Sequence, residues 1–213
     1  MPGVRAPTMT TQIDTPHGPA QIHLRPAETP RGALVLGHGA GGGIESADLV
    51  EVTTEAAAAG WRVVRVEQPW RVAGRRIAPA PPKLDEGWRA VLAALRADGT
   101  LTGPLVLGGR SAGARVACRT AAEHDAAGVL ALAFPLHPPG KPEKTRAPEL
   151  TAVTVPIVVV QGETDAMGSP SAVAAVLSGR ANASVYAVAG DHALKKDVHI
   201  VAAAAMSWLD ELF

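Results

Sequence analysis

Cysteine is nearly absent from the chain, which has Cys118 alone among its 213 residues. A single cysteine excludes an internal disulfide and a cysteine-rich metal site. Cys118 follows Ser111 by two predicted helical turns, and a buried packing role is expected for it. No spacing of histidines and carboxylates resembles a zinc or iron ligand set, so the sequence predicts neither a metal nor a cofactor.

Long apolar runs and net charge are missing as well. No run of about 18 apolar residues occurs, and residues 1–18 contain no apolar core of signal-peptide length. Lysine plus arginine equals aspartate plus glutamate at 20 each, so the formal net charge is zero. This balance argues against a general nucleic-acid binder and gives no reason to expect attraction to anionic membranes. We therefore expect a soluble cytoplasmic protein.

Strand and helix patterns alternate along most of the chain. Residues 1–10 lack periodicity and are predicted to be a flexible leader, whereas residues 11–213 are predicted to form a single domain. Residues 11–24 suit an antiparallel hairpin at a sheet edge. From Gly32 onward, continuous apolar strands alternate with helices, which predicts an α/β fold whose mostly parallel sheet has helices on both faces. Ligands of such sheets bind beyond the carboxyl ends of the strands.

One apolar strand, predicted at residues 105–107, leads into Gly109-Arg110-Ser111-Ala112-Gly113 and then into a helical segment. This is the Gly-x-Ser-x-Gly pattern of a nucleophile elbow, in which a sharp turn exposes the serine hydroxyl and small neighbours let the backbones approach. The first amide of the helix, that of Ala112, would face an oxyanion beside the serine. Ser111 is the predicted nucleophile, and the alternative is a serine that serves only the turn.

The glycine-rich loop at residues 37–43 allows two interpretations. Its Gly-x-Gly-x-x-Gly spacing matches the dinucleotide fingerprint, and Glu67 ends the next strand, where an acid would bind a ribose. In the dinucleotide fold, however, the helix begins within the motif, whereas residues 43–45 precede the predicted helix cap at Ser46. The spacing therefore favours a free loop.

A hydrolase uses such a loop to supply the second oxyanion amide, because glycines let the backbone approach the substrate closely. We assign that amide to Ala40, with Gly41 as the alternative. His38 is expected to orient the loop by hydrogen bonding, since a better base lies downstream.

Two downstream loops supply partners for the serine. A serine hydroxyl needs a histidine to take its proton and a carboxylate to orient that histidine. A strand at residues 157–160 runs into a glycine turn and then Asp165, the predicted acid, with Glu163 as its local rival and helix capping as its structural alternative. The final strand runs into a short glycine-containing loop and His192, the predicted base.

The remaining histidines and one arginine cluster receive no catalytic role. Surface positions are expected for His17, His23, His124 and His199. His137 follows a central strand and would line the site without a nearby acid in the sequence. Three arginines, Arg71, Arg75 and Arg76, follow a strand end, where they form either a solvated basic loop or a positive lip that favours anionic substrates.

In hydrolases with a nucleophile elbow, a lid is usually inserted after the strand that follows the nucleophile helix. Only residues 135–155 lie between that strand and the next, and their prolines favour a tight extended loop. The sequence therefore predicts no cap domain and a shallow, open site.

Three segments carry a family resemblance: 109–113 (GRSAG), 134–144 (FPLHPPGKPEK) and 190–194 (GDHAL). The chain resembles the α/β-hydrolase superfamily, in particular its small dienelactone-hydrolase-like group and the testis-expressed-protein-30-like subfamily. The resemblance implies the α/β-hydrolase fold and carries the nucleophile, acid and base roles onto Ser111, Asp165 and His192. A related domain occurs in a chromatin-complex subunit, which implies a binding role without turnover as an alternative.

The leading hypothesis is a cofactor-independent serine hydrolase that cleaves a small ester or similar acyl bond. Its expected partner is a small-molecule acyl substrate, with no nucleic acid and no membrane. The alternatives are a non-catalytic interaction protein with the same fold and, with less support, a dinucleotide-binding oxidoreductase.

Overall fold

The computed structural model describes residues 8–213, which contain one eight-stranded sheet. The strands are β1 (Met9–Ile13), β2 (Ala20–Arg25), β3 (Ala33–Gly37), β4 (Arg62–Glu67), β5 (Leu105–Arg110), β6 (Gly128–Leu132), β7 (Ile157–Gly162) and β8 (Ala183–Val188). The helices are α1 (Ala47–Ala58), α2 (Pro69–Val72), α3 (Pro81–Ala97), α4 (Ala112–Thr120), α5 (Ala147–Thr151), α6 (Pro170–Val176) and α7 (Val198–Leu212), with a 3-10 helix at Ala122–His124.

The sheet order is β1-β2-β4-β3-β5-β6-β7-β8, and β3 to β8 run parallel to one another. Strands β1 and β2 form the predicted antiparallel hairpin, and β2 pairs antiparallel with β4. Since β3, β5, β7 and β8 are parallel, the loops that follow them meet at one edge of the sheet. All the motifs predicted to form the site lie in these loops.

Helices cover both faces of the sheet, because successive side chains of a strand point to opposite sides. In β3, Ala33 and Val35 pack in a core that includes residues of α3 and α4, whereas Leu34 and Leu36 pack in a second core with α1 and α7. Complete burial of a valine or leucine contributes about 1.5–3 kcal/mol relative to exposure. The predicted mostly parallel sheet with helices on both faces is confirmed.

Two segments differ from their predicted form. Strand β1 begins at Met9, so Met9 and Thr10 belong to the sheet and not to the leader predicted at 1–10. Thr8 precedes the strand, and residues 1–7 of the predicted leader lie outside the described residues. The loop predicted to be extended at 135–155 contains the five-residue helix α5. Leu150 of α5 is buried in the core, and the described residues hold no separate cap domain.

Helix α4 lies behind the predicted nucleophile and carries Cys118, whose side chain is buried in the core as expected. Burial raises the pKa of this thiol to about 12, so it stays protonated at neutral pH. The residue therefore packs as a small apolar group. Between residues 8 and 213, no helix has the length and hydropathy required to cross a membrane.

Candidate active site

The nucleophile elbow forms where β5 ends and α4 begins. Ser111 has φ 54° and ψ −107°, a backbone conformation that costs a residue other than glycine about 1–3 kcal/mol. Its amide donates a hydrogen bond to the Leu132 carbonyl at 2.9 Å, and its carbonyl accepts one from the Arg115 amide at 3.1 Å. These hydrogen bonds to β6 and α4 hold the serine in the strained turn.

The two glycines of the motif are required because β3 passes directly against the elbow. A Cβ atom on Gly109 would lie 2.3 Å from the Gly37 carbonyl oxygen, and one on Gly113 would lie 2.2 Å from the same atom. Real Cβ atoms do not approach backbone atoms this closely, so only glycine fits either position. The close backbone approach expected from the sequence is present, and Gly37 is the residue that approaches both glycines.

Three loops bring Ser111, Asp165 and His192 together. His192 Nε2 lies 2.9 Å from Ser111 Oγ, and His192 Nδ1 lies 2.8 Å from Asp165 Oδ2. When Nδ1 carries the proton and donates a hydrogen bond to the carboxylate, the lone pair on Nε2 accepts a hydrogen bond from the serine hydroxyl. This arrangement is chemically able to withdraw a proton from the serine as the hydroxyl attacks a carbonyl carbon.

The Asp165 side chain is fully buried, and both of its oxygens accept hydrogen bonds. Gln161 Nε2 donates to Oδ2 at 2.8 Å, and the Met167 amide donates to Oδ1 at 2.8 Å. These donors stabilise the anion and fix its plane, so that Oδ2 faces His192. Glu163, the rival acid, is exposed and makes no such contact among the described residues.

The glycine-rich loop after β3 lies against the elbow. A Cβ on Gly39 would lie 3.4 Å from Ser111 Cβ, which places the loop beside the nucleophile. Ala40 and Gly41 both line the cavity that contains Ser111. Ala112 is the first residue of α4, where backbone amides have no partner within the helix. The assignment of the oxyanion amides to Ala40 and Ala112 stays a prediction.

His38 holds this loop in place by hydrogen bonds. Its side chain is buried, Nδ1 donates to the Gly39 carbonyl at 2.9 Å, and Nε2 accepts from the Gln68 amide at 3.1 Å. Burial lowers the pKa of His38, so the ring stays neutral and retains both roles. His38 therefore joins the loops that follow β3 and β4, in agreement with the orienting role expected from the sequence.

Arg110 is a residue of the site for which the sequence suggested no role. Its Nε lies 2.9 Å from Asp48 Oδ2, and its Nη2 donates to the His192 carbonyl oxygen at 2.7 Å. Burial raises the pKa of Asp48, and the Arg110 charge opposes that shift. The pair links the elbow, the first turn of α1 and the loop that carries His192.

A groove of about 1060 Å³ surrounds Ser111 and His192. We call this space the site groove. His23 of β2 lines it, which corrects the surface position expected for this residue. Arg71 also lines it, whereas Arg75 lines a separate cavity with His17. His137 is not among the residues that line the site groove.

A second cavity, of about 10 Å³, lies beside the elbow and has mostly apolar walls. Its lining includes Trp70, Trp88, Ala112 and Val116. A cavity of this size holds about one water molecule, or a group the size of a methyl.

Residues 30–208 match the alpha/beta hydrolase domain family, and the chain belongs to that family. No curated protein matches the chain significantly in a sequence search.

Solved structures give the fold independently. An α/β serine hydrolase without a lid from Xanthomonas campestris is 19% identical, with a TM-score of 0.78 over 99% of this chain and 97% of that one. Est1E from Butyrivibrio proteoclasticus is 16% identical, with a TM-score of 0.77 over 95% and 98% of the two chains. An alpha-beta serine hydrolase homologue from Coxiella burnetii is 14% identical, with a TM-score of 0.79 over 99% and 100%. The predicted α/β-hydrolase fold is confirmed.

Proposed function

We propose that the protein is a cofactor-independent serine hydrolase that cleaves a small ester or similar acyl bond. The observation that carries the proposal is the pair of hydrogen bonds from Ser111 to His192 and from His192 to Asp165, at 2.9 and 2.8 Å. Family membership and the strained turn at Ser111 support it.

In the proposed reaction, Ser111 Oγ attacks the carbonyl carbon as His192 Nε2 takes its proton. The amides of Ala40 and Ala112 bind the oxyanion that forms. His192 then returns the proton to the departing alcohol, which leaves an acyl-enzyme. Water deprotonated by the same histidine hydrolyses this ester, releases the acid and restores Ser111.

The oxidoreductase alternative receives no support from the loop geometry. A dinucleotide loop opens directly into a helix whose amides face the pyrophosphate. Here the glycine loop packs on the elbow through Gly39, and α1 begins only at Ala47. The finer parts of our proposal rest on the sequence patterns. They are carboxylesterase-like specificity, the testis-expressed-protein-30-like grouping within the dienelactone-hydrolase-like proteins, and a cytoplasmic location.

A fluorophosphonate probe tests the proposal, because it forms a stable adduct only with an activated serine. We expect intact-mass analysis to show one adduct on the wild type and none on Ser111→Ala. Ser207→Ala, which removes an exposed hydroxyl of α7, is the matched control and should label like the wild type. A folded wild type that does not react would refute the proposal and favour the non-catalytic interaction protein.

Short acyl chains should be preferred. The described residues contain no cap domain, and the apolar cavity beside the elbow has a volume of only about 10 Å³. A long acyl chain does not fit this cavity and would have to lie in the site groove, which no cap among the described residues covers. It therefore stays in contact with water and gains little of the roughly 0.8 kcal/mol available per buried methylene. We expect kcat/KM for p-nitrophenyl esters of about two to four acyl carbons to exceed that for twelve carbons at least about tenfold.

The series is measured with detergent controls that keep the long esters monomeric. A maximum at long chains, or a jump in rate above the solubility limit of the ester, would contradict the open site.

A further inference from the structure

We propose that the natural substrate carries a carboxylate in its alcohol portion, and that the positive charges of Arg71 and Lys195 in the site groove attract this carboxylate. The proposal rests on the hydrolase function proposed above and names a substrate class for it. Both cations line the same groove as Ser111 and His192.

The topology brings the two cations to the groove from different directions. Arg71 belongs to α2, which follows β4, and Lys195 lies in the loop after β8 that also carries His192. In the sheet, β4 and β8 lie on opposite sides of β5, the strand that leads into Ser111. The side chain of Arg71 reaches the glycine loop, with Nε 3.9 Å from the position of a Cβ on Gly43. Elements on both sides of the nucleophile strand thus contribute positive charge.

Most other charges of the groove are already neutralised. Arg110 is paired with Asp48 at 2.9 Å. Glu45 is paired with Arg65 at 3.1 Å.

Three charged groups of the groove remain outside these pairs. The ion pairs found within residues 8–213 include neither Arg71, nor Lys195, nor the groove carboxylate Glu67. Glu67 and Arg71 act on the same ring: burial lowers the pKa of His38, the Glu67 charge raises it and the Arg71 charge lowers it. The Glu67 charge also raises the pKa of His23, where burial again has the larger, lowering effect. Two cations and one carboxylate therefore face the groove, which leaves an excess of positive charge for an anionic ligand.

The structure also separates Arg71 from the two arginines that follow it in the sequence. Arg75 lines a different cavity, with His17 and Lys83, and Arg76 is exposed outside the site groove. Of the three, only Arg71 is placed to contact a ligand near Ser111, and Arg75 provides a control of equal charge.

The carboxylate is assigned to the alcohol portion because the acyl portion is expected to be short. A short acyl group leaves most of the groove of about 1060 Å³ to the alcohol. The fork of Arg71 suits a planar carboxylate, and the ammonium of Lys195 adds a second positive charge to the same groove. Since Lys195 is exposed and Arg71 half-buried, the two together are expected to change affinity by about tenfold, in line with partly solvated charge pairs.

The test compares the release of acetate from 4-acetoxybenzoate and from its methyl ester, in which a methyl group replaces the negative charge. We expect the wild type to have the lower KM for the carboxylate. In Arg71→Gln/Lys195→Gln, the kcat/KM ratio of charged to neutral substrate should fall about tenfold. Arg75→Gln should leave the ratio at its wild-type value. A ratio that is unchanged in the double variant, or equally reduced by Arg75→Gln, overturns the proposal.

Binding to Ser111→Ala separates this proposal from the hydrolase function itself. This variant keeps the groove and lacks the nucleophile, so NMR titration with the two compounds reports recognition alone. Tighter binding of 4-acetoxybenzoate, lost in the triple variant that also carries Arg71→Gln and Lys195→Gln, supports the carboxylate site even if the wild type hydrolyses neither compound. Equal binding of the two compounds overturns it, even if the wild type hydrolyses both.

Discussion

Asp165→Asn is expected to lower kcat about ten-thousandfold while the protein remains folded. Both carboxylate oxygens face N–H donors, from Gln161, Met167 and His192. An asparagine that turns its amide nitrogen toward His192 forces the proton onto the nitrogen that must accept from Ser111. An asparagine that turns its nitrogen the other way faces the Met167 amide and still lacks the charge that stabilises the imidazolium.

The rate of p-nitrophenyl acetate hydrolysis measures this effect, and a thermal melt verifies folding. Glu163→Gln is the matched control, since Glu163 lies two residues earlier in the same loop and is exposed. It should retain nearly wild-type kcat. Substantial activity in Asp165→Asn together with a loss in Glu163→Gln would show that the wrong acid has been assigned.

Gly113→Ala is expected to cost about 3 kcal/mol of unfolding free energy and to lower Tm by about 6–12 °C. The added Cβ would lie 2.2 Å from the Gly37 carbonyl oxygen and 2.4 Å from its carbonyl carbon. Both are backbone atoms of a central strand, so helix α4 must move away from β3 to relieve the overlap. That movement also displaces Ser111, and activity should fall with stability.

Gly42→Ala is the corresponding control for Gly113→Ala. A Cβ on Gly42 meets nothing within 4 Å, so its Tm should stay close to that of the wild type. Equal melting temperatures for all three proteins would show that β3 and the elbow are not packed as described.

The parts of the site that follow strands were predictable from the sequence. Apolar strands lead into the turns and loops that carry Ser111, Asp165 and His192. Because parallel strands end at one edge of a sheet, local patterns were enough to place these three residues near one another. Hydrogen bonds of 2.8 and 2.9 Å join them. The catalytic roles of the three residues stay predictions until activity is measured.

Contacts between distant residues were not predictable in the same way. Arg110 and Asp48 are 62 positions apart, and nothing in the local sequence of either indicates the other. His23 lies in the groove because β2 pairs antiparallel with β4, which sets it opposite Arg65. These positions depend on pairing between strands, which a single sequence does not reveal.

The predictions for residues 1–10 and 135–155 were wrong in part, for related reasons. The first two residues of β1, Met9 and Thr10, are exposed, with no apolar alternation to reveal them, and they are held by pairing with Leu24 and His23 of β2. Helix α5 is too short to be stable alone. Its Glu149 makes ion pairs with Arg115 and Arg119 of α4, at 2.6 and 3.1 Å. In both segments, partners elsewhere in the chain decide a structure that local preference leaves open.

Because Cys118 is buried, the protein is suited to labelling at a single introduced cysteine. Its thiol is the only one in the chain and is both enclosed and protonated at neutral pH, so alkylating reagents should leave it intact. Ser111→Cys would then place the sole reactive sulfur in the site groove without removal of a native cysteine. A fluorophore or spin label attached there would report directly on ligands that enter the groove, whatever their chemical reactivity.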